Sequence, residues 1–207
     1  MKRTLSQLLA VLMLLLPLFC SCGEQKPPVT EEEIFPLAAD LLERSVLVNN
    51  ILLGDGIPTG NEAFGEFFYA DTDWEDEKNV HSVEDILKLT TDVYTNEVYT
   101  VLYALVITKD GQIPPDYQNR GAPATGLLVY KGREGMYENT THEYLTDTMT
   151  LTQATADKAT VTVTVRITPE GYEPQERVLT LTLALTDRGW RCDKLTCIAY
   201  DYSKIDN

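Results

Sequence analysis

Two stretches in the second half of the chain alternate strictly between apolar and polar side chains, and this period of two constrains the fold more than any other feature. Ala159, Val161, Val163, Val165 and Ile167 fall on one side of an extended backbone, with Thr160, Thr162, Thr164 and Arg166 on the other. Leu179, Leu181, Leu183 and Leu185 repeat the pattern against Thr180, Thr182 and Thr186. Strands with one apolar and one wettable face belong to an antiparallel sheet covered on one side. Pro169 to Pro174 joins the two, and Asp187-Arg188-Gly189 turns into a last strand predicted from Trp190 to about Tyr200. With Leu127 to Lys131 and Tyr144 to Gln153, the expectation is a meander of four or five antiparallel strands.

Before Gly126 the period is that of helices. Thr30 with Glu33 has the spacing of a capping box, and Pro36 is read as belonging to the first turn that follows. Leu37, Ala38, Leu41, Leu42, Val46, Leu47 and Leu53 form the predicted apolar stripe, ending near Gly54. Asp55 to Gly65 reads as a loop, and Phe67 to Tyr69 as a short aromatic run. Ser82 with Asp85 opens a second helix through Ile86, Leu87, Leu89 and Val93. Thr95 caps a third segment, Glu97 to about Val106, whose β-branched end also fits a strand. Lys109 to Pro123 is predicted to be a long loop. Helices in front and strands behind give an α+β fold, with N-terminal helices packed on a curved antiparallel sheet.

The first residues carry an address. Lys2 and Arg3 precede an apolar stretch from Leu8 to Phe19, too short to span a bilayer, followed by the small residue Ser21. Leu18-Phe19-Cys20-Ser21-Cys22 resembles the lipobox of Gram-positive lipoproteins, with Phe19 where Leu is usual. The resemblance implies cleavage after Ser21 and a diacylated Cys22, whose two chains suffice for stable anchoring. Residues 1–21 are then a signal peptide and 22–30 a proline-bearing tether. Residues 31–207 form a single domain of ordinary size, held at the extracytoplasmic face of the cell membrane.

Losing Lys2 and Arg3 with the leader takes the net charge from −15 to −17. Such a chain has no basic face for a polyanion, so nucleic acid is excluded as a partner, and anchoring to anionic lipid falls to the acyl chains. Cys192 and Cys197 are the two cysteines of the mature domain. On one continuous strand they would point to opposite faces, about 16 Å apart; only a sharp turn through Asp193 to Thr196 would let them bond. Both arrangements stay open, since an exported location permits a disulfide.

Catalytic motifs are scarce. His81 and His142, the only histidines, stand in no metal-pair or nucleophile–base spacing and read as surface or capping residues. The sequence contains neither a Gly-x-Ser-x-Gly elbow nor a phosphate loop. Asp71 to Glu77 begins like a calcium loop, but Asp76 occupies the turn-glycine position and Ser82 the bidentate-glutamate position. The segment reads as a solvated acidic loop, with a weak calcium site as the alternative. Neither a cofactor nor a metal site is expected. Among eleven tyrosines, Tyr94, Tyr99 and Tyr103 recur at helical spacing and are expected to line the core. Tyr117 and Tyr130, with Asp116 and Arg120, are the candidate rim of a contact patch, because aromatic and arginine side chains dominate interface energies. A plain polar loop is the competing reading.

Helices followed by a curved sheet, closed by Asp187-Arg188-Gly189-Trp190-Arg191-Cys192-Asp193, resemble the NTF2-like, cystatin-like cone. In the front half, Gly54-Asp55-Gly56, Phe67 to Tyr69, and Ser82-Val83-Glu84-Asp85-Ile86-Leu87-Lys88 leading to Val93-Tyr94-Thr95-Asn96-Glu97 resemble clostridial lipoproteins related to the Bacillus inhibitor of cell-wall DL-endopeptidases. That likeness implies a monomeric exported protein that binds peptidoglycan hydrolases without catalysis of its own. The competing expectation is a small-ligand carrier or enzyme using the pocket of the cone, with Asp or Tyr as acid–base group.

Overall fold

A computed structural model describes residues 27–108, 115–121 and 126–204. The expected signal segment, the acceptor Cys22 and the start of the tether lie outside the described residues, as does part of the loop expected between Lys109 and Pro123. Among the described residues, no helix is long and apolar enough to cross a membrane.

The first helix, α1, spans Glu31–Leu53 and stops at Gly54. Its first turn is closed as the sequence suggests: the Glu33 carboxylate accepts from both the N–H and the hydroxyl of Thr30, at 2.9 and 3.0 Å. Pro36 stands in the sixth helical position, one turn further in than expected. The carbonyl it leaves unbonded belongs to Glu32, an exposed residue whose backbone water can serve. Ala38, Leu41, Leu42 and Leu53 of the expected stripe are buried, but the helix is rolled away from its other members. Ile34, Ala38, Leu41, Ser45, Val48 and Leu52 face inward, while Leu37 and Val46 are about 40% and 45% exposed.

The strands form two four-stranded antiparallel sheets where one sheet of four or five strands was expected. In the first, β1 (Thr59–Phe64), β2 (Phe67–Ala70), β3 (Tyr117–Asn119) and β4 (Leu127–Tyr130) lie in the order β1-β2-β4-β3. Half of what read as the Asp55 to Gly65 loop is thus strand β1. A two-residue turn joins it to β2, with Gly65 at φ +60, where a side chain would be strained.

Between β2 and β3, two strands of this first sheet, the chain forms the remaining helices: α2 (Thr72–Lys78), α3 (Val83–Val93) and α4 (Asn96–Leu102), the last widening into a π-helical turn at Tyr103–Thr108. Ser82 caps α3 by accepting from the Asp85 N–H, as its spacing implies. The β-branched end of the third segment is therefore helical. The acidic stretch expected as a loop is α2, because Asp71 accepts from the Trp74 N–H at its start and Asn79 closes it in a left-handed conformation (φ 52).

The second sheet is the expected meander without Leu127 to Lys131, which pairs in the first sheet as β4: β5 (Thr140–Ala154), β6 (Lys158–Pro169), β7 (Gln175–Thr186) and β8 (Gly189–Cys192), in sequence order. Val161, Val163, Val165, Ile167, Leu179, Leu181 and Leu183 are all buried in one core with α1, whereas Leu185 remains about 43% exposed. Each such side chain contributes roughly 1.5–3 kcal/mol by leaving water. The final strand ends at Cys192, well short of Tyr200. Beyond it the chain follows β7 through scattered contacts, from Asp193 N–H to the Thr182 carbonyl and from Arg177 to the Ala199 carbonyl.

The tail leaves the ladder where Thr196 turns inward to a buried polar cluster. Its hydroxyl accepts from Asn49 Nδ2 at 2.7 Å, donates to Ser45 Oγ at 2.9 Å and lies 2.9 Å from the Tyr94 hydroxyl. Tyr94 in turn donates to Asn49 Oδ1 at 2.6 Å, and Ser45 to the Leu42 carbonyl at 2.7 Å. The cluster joins α1, the end of α3 and the tail. Cys192 and Cys197, whose pairing the sequence left open, are both buried free thiols.

Candidate functional site

A cleft of about 540 Å³ opens between the C-terminal half of α1 and the first residues of β5. Helix α1 contributes Val46, Leu47, Asn49 and Asn50 to one wall. Trp74 and Lys78, four residues apart and so on one face of α2, close one end. The opposite wall is Tyr137 with Thr140, Thr141, His142 and Tyr144, and Cys197 of the tail also lines it.

Several polar groups of the cleft are held in fixed orientation. His142 Nε2 lies 2.9 Å from the Ile198 carbonyl, which can only accept, so the ring proton sits on Nε2. Tyr137 meets that imidazole edge to face, at 5.5 Å between centroids. Burial pushes the Tyr137 phenol up to about 12, helped by the neighbouring Cys197 sulfur, and pushes the Cys197 thiol up to about 11 against the hydrogen bond from Tyr137. Burial also raises Tyr144, whose hydroxyl donates to the Thr196 carbonyl at 3.2 Å. Thiol and phenols therefore keep their protons at neutral pH. They suit hydrogen bonding and ring contact more than nucleophilic attack.

The four residues singled out from the sequence do not form an exposed patch. Asp116 and Tyr117 are buried, so the rim they were expected to build does not exist as a surface. The Tyr117 hydroxyl donates to the Ile51 carbonyl at 2.5 Å, and Tyr130 N–H donates to the Asp116 carbonyl across β4 and the start of β3. The half-buried Tyr130 ring packs on Phe67 at 5.8 Å. Arg120 bonds the Ala70 and Leu127 carbonyls and stacks over Tyr69 at 4.9 Å. All four hold the first sheet together.

Sequence reasoning missed Arg133, which reaches the end of α1 and donates to the Gly54 and Ile51 carbonyls, both at 2.9 Å. A cation there meets the negative end of the helix. Glu75, read from the sequence as part of a solvated acidic loop, is instead about 2% exposed; its carboxylate accepts from Leu127 N–H at 2.6 Å and lies 3.5 Å from Arg120. Burial raises the Glu75 pKa, with the Leu127 N–H and the Arg120 charge opposing it. Glu75 points to the first sheet, away from the cleft wall made by Trp74 and Lys78. With Asp71 capping α2 and Glu75 buried, the segment compared with a calcium loop has spent these carboxylates on the fold. Among the described residues, no group of three His, Cys, Asp or Glu side chains is arranged to hold a metal ion.

Of the residues in the cleft, His142 and Cys197 are singled out in the sequence without being assigned a site, Val46 and Leu47 belong to the predicted apolar stripe of α1, and the tyrosines stand out only as part of a high count. Neither the family models nor the curated proteins compared with this sequence give a match.

Proposed function

We propose that this chain is an exported lipoprotein, acylated at Cys22, whose monomeric domain is a non-catalytic binding module at the cell envelope. Its partner is a protein, of which a peptidoglycan DL-endopeptidase is the candidate named by the sequence resemblance. In this reading the second sheet with α1 is a variant of the NTF2-like cone whose interior is packed.

The observation that carries the proposal is the position of the cleft relative to the tether. Val29 N–H is bonded to the Thr155 carbonyl at the β5–β6 turn, beside the start of α1. The cleft lies about 28 Å further along that helix, at 1.5 Å per residue from Glu31 to Asn50. A chain held by its amino terminus presents the cleft away from the lipid. Trp74 and Tyr137 at its walls are side chains of the type that anchor protein interfaces, and its donors keep their protons.

The test uses the mature domain and purified cell-wall hydrolases. Binding measured by calorimetry, with slowed clearing of a peptidoglycan suspension, is the expected result for a DL-endopeptidase, weakened at least tenfold by Trp74→Ala or Tyr137→Ala. A domain that neither binds nor slows any such enzyme removes the inhibitor reading. A second reading, a small-ligand carrier or enzyme, is favoured by the cleft volume, which falls within the roughly 300–1,000 Å³ typical of ligand pockets. It requires a low-molecular-weight compound that displaces water from the cleft and raises the melting temperature.

A further inference from the structure

A second concavity lies at the opposite end of the molecule. This groove, of about 440 Å³, runs between Pro27 to Val29, Leu37 of α1, and the pair Leu185 and Trp190 on neighbouring strands β7 and β8. Leu37 and Leu185 are about 40% and 43% exposed although both belong to periodic apolar runs. Trp190 is half-buried and faces the same space.

We infer that this groove is the surface on which the domain rests against its own membrane, with Trp190, Leu37 and Leu185 entering the boundary between headgroups and acyl chains. The inference rests on acylation of Cys22, proposed above. Pro27 stands five residue steps beyond Cys22, and a chain of that length reaches about 17 Å when fully extended. Pro27 itself lines the groove, so acyl chains seated in the bilayer keep the groove within that distance of the lipid. The Val29 to Thr155 bond, at 3.1 Å, fixes where the tether departs and stops it from swinging to another face.

The side chains fit an interface in which one end is apolar and the other wet, the setting that tryptophan favours. Charge does not supply the attraction. Glu33 lines the groove and Glu31 and Glu32 precede it in the same turn, so the contact is with the apolar boundary rather than with anionic headgroups.

The experiment uses the mature protein extracted from membranes, with the acyl groups on its amino terminus first verified by mass spectrometry. It is reconstituted into phosphatidylcholine vesicles with bromine on the acyl chains. In a Trp74→Phe chain, Trp190 is the sole indole; its emission is expected to shift to the blue, lose about half its intensity to bromine and become shielded from aqueous iodide. In the reciprocal Trp190→Phe chain, Trp74 sits in the distal cleft and is expected to escape bromine entirely. Leu37→Glu with Leu185→Glu should restore iodide quenching of Trp190 while the protein still floats with the vesicles. The inference is overturned if acylated, vesicle-bound protein leaves Trp190 open to iodide and untouched by bromine. It is equally overturned if Trp190 becomes shielded without vesicles as protein concentration rises, since a second copy then covers the groove. An unmodified amino terminus is a separate failure, which removes the lipoprotein reading first and this inference with it.

Discussion

Replacing Thr196 with Val tests whether the buried polar cluster holds the tail and α1 together. The two side chains have nearly the same shape, so packing is preserved and the effect isolates one hydroxyl. In the native chain that hydroxyl accepts from Asn49 Nδ2 at 2.7 Å and donates to Ser45 Oγ at 2.9 Å. Removing it takes away the acceptor of a buried amide donor, which costs roughly 1–3 kcal/mol, and forfeits the bond to Ser45, worth about 1 kcal/mol net. Ser45 loses little more, because it still donates to the Leu42 carbonyl. The expected destabilisation is about 2–4 kcal/mol, which for a domain of this size lowers the melting temperature by roughly 5–15 °C. Thr196→Ser keeps the hydroxyl and deletes one methyl, at about 1 kcal/mol. Urea unfolding of the mature domain should therefore rank the wild type above Thr196→Ser, and Thr196→Ser above Thr196→Val. In the double variant with Tyr94→Phe the losses should fall short of additive, since both substitutions strip the same Asn49 amide. A Thr196→Val chain as stable as Thr196→Ser would refute the reasoning.

Three other outcomes are expected. Gly126→Ala should destabilise the domain by about 2 kcal/mol or more in the same unfolding assay, because the backbone there has φ +116 and a Cβ would lie 3.0 Å from both the Arg120 guanidinium and the Glu75 carboxylate; a neutral effect would remove the claim that this approach is tight. Glu75 has a folded pKa above its unfolded value, so its contribution to stability is present below the ordinary carboxylate range and is lost as pH rises through the raised value. Wild type measured against Glu75→Gln should accordingly gain relative stability as pH falls from 7 to 4, and a flat difference would contradict the assignment. In the chain from Gly23 onward, Cys192 and Cys197 have thiols pushed by burial up to about 12 and 11, so iodoacetamide at pH 8 should leave both intact in the native state and alkylate both in urea; rapid native labelling would show the tail to be open.

Legibility followed from how each element meets water. The second sheet was readable because β6 and β7 are long enough, at 12 residues each, for alternation to stand out, and one face of each is wet. Strand β1 has no such signal: Thr59 to Phe64 is exposed throughout, so no apolar set marks a face, and its one clue was Gly65 between Phe64 and Phe67. Strand β3 is three residues long and is recognisable only through its partner β4. The α2 segment misread as a loop has acidic residues both at the cap and inside the core, and composition alone cannot separate Asp71 from Glu75. The cleft depended on these same elements. Its walls come from α1, α2, Tyr137, β5 and the tail, so none of its constellation is local in sequence.

The rotation of α1 is the most instructive departure, because the sequence contained the correct stripe. Positions 34, 38, 41, 45, 48 and 52 have the spacing of one helical face, but Ser45 and Asn49 interrupt the apolar content on that side. Hydrophobicity alone turns the helix to bring Leu37 and Val46 inward. What overrides it is that the polar pair is satisfied across the core by Thr196 and Tyr94, residues more than 40 positions away. The two displaced apolar residues then face opposite ends of the molecule: Leu37 lines the groove beside the tether and Val46 lines the cleft at the far end. A buried hydrogen-bond cluster that fixes the roll of one helix thereby also sets which apolar side chains remain for partners, linking the stability test on Thr196 to both surfaces proposed for binding.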